Sequence, residues 1–241
     1  MKIKLMTFNI QHGRNHNKKG DVIDLPLMAE NVRAQGPDIF GLNEVRKGID
    51  PDHSSGYSDQ PSFFSQTLGY HSYFGDAIKI KEDCYYGNAV FSKIPMQSHE
   101  KIMIPDVIER KGLRYETRCV LKTVYEINGK KLTVLNSHFG LGHGEAQNAV
   151  DTVLSLVNAI DTPIVLMGDF NKTPDHEQIK RLSGVLTDVH ASLSKGINTY
   201  PSDSPDMRID YIFARGVKVL SAETVKRVVS DHYAITAEIE M

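Results

Sequence analysis

Cysteine is scarce in this 241-residue chain, occurring only at Cys84 and Cys119. Two thiols in a chain of this length cannot form the disulfide framework on which small secreted domains depend, and both sit beside apolar or aromatic residues. They read as reduced, buried thiols in a cytoplasmic protein. Long apolar runs are absent as well. Nothing approaches the roughly 18 residues that a membrane helix needs, so no membrane insertion is expected. The run Met1-Lys2-Ile3-Lys4-Leu5 has neither an extended apolar region nor a small-residue cleavage site, and no signal peptide is expected. There is also no surplus of positive charge, since 28 Lys and Arg against 30 Asp and Glu give a net charge of −2. Proteins that track a polynucleotide are usually basic, because phosphate contacts supply much of their affinity. The acidic balance weighs against a nuclease, although a local basic cleft can sit inside a neutral total.

Repeats, low-complexity tracts and linkers rich in Pro, Gly or Ser are missing too. The expectation is one domain spanning residues 1–241, working as a monomer, with a core large enough to need no staples.

The elements alternate in kind. Ile3–Asn9 reads as a first strand. Leu25, Met28, Ala29 and Val32 recur at helical spacing until Gly36-Pro37 stops them. Asp38–Leu42 is a short buried strand, and Pro61 opens a short helix carrying Phe64 and Leu68. Ala89–Ser92 and Gln97–Ile104 are strands divided by Ile94-Pro95. Val120–Ile127 and Lys131–Asn136 flank Asn128-Gly129, a strong hairpin signal. A helix then carries Ala146, Ala149, Val150, Val153 and Val157, and the strand Ile164–Met167 follows Pro163. Thr173-Pro174 reads as an N-cap with proline at the first helical position, opening a helix through Ile179 and Leu182. Arg208–Phe213, Val217–Ala222 and Tyr233–Glu240 return to strand. Strands outnumber helices and include a hairpin, which favours a mixed sheet or two sheets with helices outside over a doubly wound fold.

The chemistry sits at the strand ends. Asn9 closes the first strand, Glu44 follows Gly41-Leu42, and His138 follows Leu135-Asn136-Ser137. Asp169 and Asn171 follow Val165–Gly168, Asp210 lies within Arg-Ile-Asp-Tyr-Ile, and Asp231-His232 precedes the last strand. Such groups are costly to desolvate unless paired or bound to a metal, so their recurrence beside apolar runs is not explained by core packing. A hard cation such as Mg²⁺ prefers oxygen ligands, often one or two carboxylates together with substrate phosphate. Glu44 is the best direct ligand, with Asn9 beside it. Asp169 suits a water-activating base. Asn171 can donate to a phosphate oxygen or steady a water on the cation. His138 and His232 suit phosphate stabilisation or protonation of a leaving group, because imidazole titrates near neutrality. Asp210 would hold one imidazole in its tautomer, and Asp231 would assist the metal or orient its neighbour.

The segments Phe8–Gly13, Gly41–Val45, Tyr86–Ser92, Asn136–Phe139, Gly168–Asn171, Arg208–Ile212 and Ser230–His232 occur in the order seen in the endonuclease/exonuclease/phosphatase superfamily, which the chain resembles from first strand to last. The resemblance implies an α/β fold, a four-layer sandwich of two mixed β-sheets flanked by helices. It implies Mg²⁺ or Mn²⁺ with Glu44 as ligand, Asn9 in the metal–phosphate shell and Asp169 positioning the nucleophile. It places Asn171 and His138 at the phosphate and pairs Asp210 with His232. Arg118, in Glu116-Thr117-Arg118, matches a Glu-x-Arg position of small bacterial members and would face the substrate, an internal ion pair being the even alternative. Three departures stand out. Asn43 replaces the usual Gln, Phe139 the usual Leu, and Gly144 an arginine common three residues before Gln147.

The expected activity is hydrolysis of a phosphoester, a diester before a monoester, on a small or lipid-derived substrate. A DNA or RNA nuclease is the second reading, favoured if Arg14–Lys19 and Arg114–Arg118 line one groove; Arg14–Lys19 otherwise reads as a solvated basic loop. A catalytically inactive binding module is the third, and the intact acid, amide and imidazole set argues against it. Tyr85, Tyr86, Phe63 and Phe64 read as core rather than as a base-stacking platform, and His12 has no assigned role.

Overall fold

The computed structural model describes residues 1–48, 59–108, 115–193 and 198–241. The elements run β1 (Lys2–Asn9), a 3₁₀ turn (Gln11–Gly13), α1 (Leu25–Gln35), β2 (Ile39–Gly48), α2 (Gln60–Leu68), β3 (His71–Lys81), β4 (Cys84–Ser92), β5 (Met96–Met103), β6 (Cys119–Ile127), β7 (Lys130–Ser137), α3 (His143–Ala159), β8 (Ile164–Asp169), α4 (Glu177–Ser183), β9 (Thr187–Asp188), α5 (Val189–Ser192), β10 (Asp210–Arg215), β11 (Lys218–Val225) and β12 (Ala234–Glu240). They form two mixed six-stranded sheets, ordered β11-β12-β1-β2-β4-β3 and β5-β6-β7-β8-β10-β9. In each sheet one central pair is parallel, β1 with β2 and β7 with β8.

Period-two alternation builds the layers. In β1, Ile3 and Leu5 face the second sheet while Met6 and Phe8 pack with Leu25, Met28 and Val32 of α1. In β8, Val165 and Met167 face the first sheet while Ile164 and Leu166 pack with Val150, Val153 and Val157 of α3. Carrying both alternations onward brings Asn9 and Asp169 to the inner faces at the carboxyl ends of the parallel pairs. The two sheets therefore present their polar strand ends to one another at one mouth of the sandwich.

The helix at Thr173-Pro174 starts later than its sequence suggests. His176 caps α4, its Nδ1 accepting from the Gln178 N–H at 3.2 Å. Thr173 instead opens a turn, its carbonyl accepting from the His176 N–H at 3.0 Å and its hydroxyl donating to Asp175. A hydroxyl bound within its own turn no longer competes for a helix cap. β3, β9 and α5 carry no strong sequence signal, and β2 runs six residues past the expected end at Leu42.

Gly168 shows how tightly the mouth is built. Its φ is +144°, and a Cβ there would lie 1.8 Å from the Ser137 carbonyl oxygen of β7. Backbone atoms of a central strand cannot yield that much. Gly168→Ala is expected to cost at least about 3 kcal/mol or to prevent folding. Urea unfolding measures it, and a loss under about 1 kcal/mol would show that the strands can part.

Candidate active site

A cleft of about 810 Å³ opens at this mouth, lined by Glu44, Arg118, His138, Asp169, Asn171, Asp231 and His232 among others. Asn9 and Asp210, both 1% exposed, lie against its floor. The residues singled out by sequence thus come together from both sheets.

Asp169 is the centre. Its Oδ1 accepts the Asn171 N–H at 2.9 Å, and its Oδ2 accepts from Asn9 Nδ2 at 3.0 Å. That same Oδ2 stands 3.5 Å from His138 Nε2 and 3.6 Å from His232 Nε2. Burial pushes the Asp169 carboxyl up to about 7, against the pull of His232 and Asn9. Behind it, His232 Nδ1 lies 2.9 Å from Asp210 Oδ2. A carboxylate only accepts, so Nδ1 carries the proton and Nε2 faces the cleft. Burial alone would lower His232, but Asp210 and Asp169 outweigh it and lift the imidazole to about 10. His138 goes the other way, since burial and the Arg118 charge hold it well below the usual imidazole range.

Glu44 reaches the site through a β-bulge. Leu42 pairs with Ala89 and Val45 with Gly87, so Asn43 and Glu44 together oppose Asn88. The extra residue, with Glu44 at φ +59°, returns Val45 to the α1 face and frees Glu44 to turn into the cleft. Its Oε1 accepts from Asn9 Nδ2 at 3.0 Å, and its Oε2 lies 3.5 Å from His12 Nδ1. Burial, with the nearby Asp231 adding to it, raises the Glu44 carboxyl. The Asn9 amide oxygen, for its part, accepts the Gln11 N–H at 3.0 Å. Asn9, expected in the metal–phosphate shell, is therefore placed as a donor linking two carboxylates.

The donor set fits a divalent cation. Glu44, Asp169 and Asp231 bring hard carboxylate oxygens into one desolvated space, and two of them are pushed up because burial leaves their charge poorly compensated. Glu44 and Asp231, at the cleft edge, would hold the ion. Ligand atoms of Asp169, Asp210 and His232 also lie within 4.8 Å of one another. The Asp210–His232 hydrogen bond already uses two of those atoms, so we read this trio as a relay.

Several contributors escaped the sequence reading. Tyr86 and Tyr200 wall the cleft, and the Tyr200 ring lies 4.8 Å from that of His232. Ser202 fixes Ser230-Asp231 by donating from its hydroxyl to the Ser230 carbonyl at 2.5 Å and from its N–H to the Asp231 carbonyl at 2.7 Å. Asn43 points inward, its Oδ1 accepting the Asp169 N–H at 3.0 Å and its Nδ2 donating to Asn88 Oδ1 at 2.9 Å. The shorter amide thus ties the sheets together instead of altering the shell around Glu44. Gly144 abuts Val107, whose Cγ1 would meet a Cβ at 2.9 Å, so the Val107 side chain would have to shift to admit an arginine. The Arg14–Lys19 loop does not line the cleft. Arg14 lies 3.4 Å from Asp21, His16 3.7 Å from Asp203 and Lys18 3.6 Å from Asp24. Arg114 falls outside the described residues.

The model of the Endonuclease/Exonuclease/phosphatase family matches residues 6–232. The chain belongs to that family. Family members hydrolyse phosphoester bonds. A UPF0294 protein of Yersinia pseudotuberculosis is 28% identical over 136 residues, 55% of this chain and 52% of that protein. The chain thus spans about half the length of the curated relatives it matches. Among solved structures, a family protein from Beutenbergia cavernae superposes with a TM-score of 0.79 at 23% identity, covering 100% of this chain and 72% of the other. A mannosyl-6-phosphatase of Bacteroides thetaiotaomicron gives 0.74 at 20%, covering 99% and 100%. At these identities the superpositions establish the two-sheet fold common to this family. Among the described residues, no helix is long and apolar enough to cross a membrane.

The Asp210–His232 pair sets a pH dependence in the metal-free protein. His232 is raised on folding, so its contribution to stability is full below its unfolded value of about 6.5 and is lost as pH rises towards about 10. Asp210→Asn should lower the His232 pKa by about 1–3 pH units, read by NMR titration, and flatten that stability loss. An unmoved His232 pKa in the variant would refute the pairing.

Proposed function

We propose that the chain is a Mg²⁺- or Mn²⁺-dependent phosphoesterase that hydrolyses a small or lipid-derived phosphodiester by in-line attack of water. The observation that carries this reading is the crowding of Asn9, His138 and His232 around one buried oxygen of Asp169, with Glu44 alongside.

On this reading Asp169 takes the proton of the attacking water. A carboxylate raised to about 7 by burial is a stronger base than an exposed one and still deprotonates near neutrality. Asn9 holds Asp169 and Glu44 in one arrangement. His138 and Asn171 offer N–H groups to phosphoryl oxygens, and the imidazolium of His232, aligned by Asp210, compensates the charge that builds in the transition state. A divalent cation held by Glu44 and Asp231, when bound, would supply charge neutralisation to the phosphoryl and leaving oxygens. Two buried free thiols agree with a cytoplasmic protein.

The cleft wall favours a small or apolar ester over a polynucleotide. Tyr86, Tyr115, Leu141, Tyr200 and Met207 line it, and Arg14 and Lys18 of the Arg14–Lys19 loop pair with Asp21 and Asp24 outside it. The nuclease remains the second reading, supported by the endonuclease members for which the family is named.

Three substrates separate the readings: a bis-aryl phosphate diester, an aryl phosphate monoester and plasmid DNA, each with Mg²⁺ or Mn²⁺. Turnover of the diester above the other two is expected. Plasmid cleavage with steep salt dependence and no small-ester turnover would overturn the assignment. Monoester turnover alone would move it to a phosphatase. Asp169→Asn and His232→Ala should each lower kcat about 10²–10⁴-fold while the circular-dichroism spectrum stays unchanged. Glu44→Gln should raise the Mg²⁺ requirement about 10–100-fold, a change of ligand charge that Asn9→Ala would not mimic.

A further inference from the structure

Arg118 comes from the segment ahead of β6, is 7% exposed, and lines the cleft beside His138. Its Nη2 lies 2.8 Å from Glu116 Oε2, and its guanidinium stands 6.0 Å above the Tyr86 ring. Its Nη1 lies 3.2 Å from His138 Nδ1. A guanidinium has five N–H donors, no acceptor, and stays charged at any pH the fold survives. The lone pair in this contact must therefore belong to His138 Nδ1, which leaves the only proton of the neutral ring on Nε2. A second proton would have to be placed on Nδ1, directly against the cation.

The other side of the ring makes a competing demand, since an amide nitrogen also only donates, and the charged contact at Nδ1 outweighs this neutral one. Around His138 Nε2 stand Asp169 Oδ2 at 3.5 Å and Asn171 Nδ2 at 3.0 Å. Asn171 Nδ2 also donates to the Phe139 carbonyl at 2.9 Å, which fixes the amide with its nitrogen, not its oxygen, towards the histidine. With the Nδ1 lone pair given to the guanidinium, the Nε2–H and the remaining amide hydrogen are two donors side by side, and among the described residues the acceptor beside them is Asp169 Oδ2, 3.5 Å from Nε2. An acceptor between them completes the arrangement.

We propose that Arg118 is a positioning residue that acts through His138, locking it as the neutral Nε2–H tautomer. His138 is thereby a permanent hydrogen-bond donor to the ester's phosphoryl oxygen and takes no part in protonating the leaving group. This rests on the phosphoesterase reading of the cleft. It also replaces the substrate contact that the Glu-x-Arg position suggests for Arg118, because Nη1 and Nη2 already face His138 and Glu116 and Nε is buried. The general-acid alternative for His138 drops out as well, since the ring carries no proton that it can give up and regain near neutrality.

Side-chain ¹H–¹⁵N spectra, assigned by comparison with His138→Gln, distinguish the tautomers directly. The wild-type ring is expected to remain neutral with the proton on Nε2 from about pH 6 to about pH 8. Detection of an Nδ1–H or a cationic ring in that range would overturn the proposal. This measurement needs neither a variant of Arg118 nor a known substrate, so its failure is distinct from failure of the phosphoester assays. Arg118→Met should mix the tautomers and lower kcat on the diester about 10–100-fold, with KM changed less than about threefold. Arg118→Lys, which keeps a donor for Nδ1, should hold the Nε2–H tautomer and retain more of kcat. A rise in KM alone for Arg118→Met would mean that the guanidinium binds substrate. A tautomer unchanged in that variant would remove its role in setting the ring. Either result would refute the assignment.

Discussion

Asp169 belongs to the second sheet but is held by two amides of the first. Asn9 donates to its carboxylate, and Asn43 accepts from its backbone N–H, both at 3.0 Å. Each of these amides also reaches further into the first sheet's end of the site, Asn9 to Glu44 and Asn43 to Asn88. The relative position of the two principal carboxylates is therefore set by how the sheets seat upon one another. Buried hydrogen bonds of this kind are costly to leave half-made, so they act as an alignment constraint on the whole sandwich. The apolar packing of Leu5, Val90, Leu121, Val165 and Met167 between the sheets holds the layers together. The amides decide the register at which they meet.

The same constraint accounts for the odd backbone at the mouth. Gly168 brings β8 against the Ser137 carbonyl, and Asn171 takes φ +51° two residues after Asp169. The Glu44 bulge reverses side-chain parity in β2 at the point where a carboxylate must leave the α1 face. Asn136 fills the space opposite Gly41, where a Cβ would come within 2.6 Å of its Oδ1, and donates to the Leu42 and Ala89 carbonyls. Irregularity concentrated at one end of otherwise regular sheets is what a site assembled from many strand ends requires.

Much of this was legible in the chain itself. The β6–β7 hairpin was marked by Asn128-Gly129, α1 by its apolar spacing and Gly36, and the two-sheet class by the ordered motifs. Site residues were visible because carboxylates, amides and imidazoles stood out beside apolar strands. What stayed hidden depends on three-dimensional partners. The β-bulge that turns Glu44 appears only in the pairing of β2 with β4. The direction of the Asn9 amide depends on Gln11 behind it. The N-terminal boundary of α4 was misplaced because Thr173-Pro174 forms a good cap signature whose hydroxyl is captured by Asp175. Tyr86 looked like a core residue, and it is indeed buried, but one flank of its environment is the cleft.

The charge of the cleft bears on what can enter it. Glu44, Glu116, Glu145, Asp169 and Asp231 line it against Arg46, Lys79, Arg118 and three histidines. Arg118 pairs with Glu116, and the five carboxylates outnumber Arg46 and Lys79. An anionic ester approaching this set would meet repulsion unless a cation of higher charge intervened, which is the electrostatic argument for the metal dependence proposed above. One divalent ion between Glu44 and Asp231 would compensate for one phosphate. A polynucleotide would need further rows of cations to track its backbone, and in the Arg14–Lys19 loop Arg14 and Lys18 stand beside Asp21 and Asp24, outside the cleft. That balance supports the proposed reading, a single phosphoester carried on an aromatic or aliphatic body, over a polynucleotide.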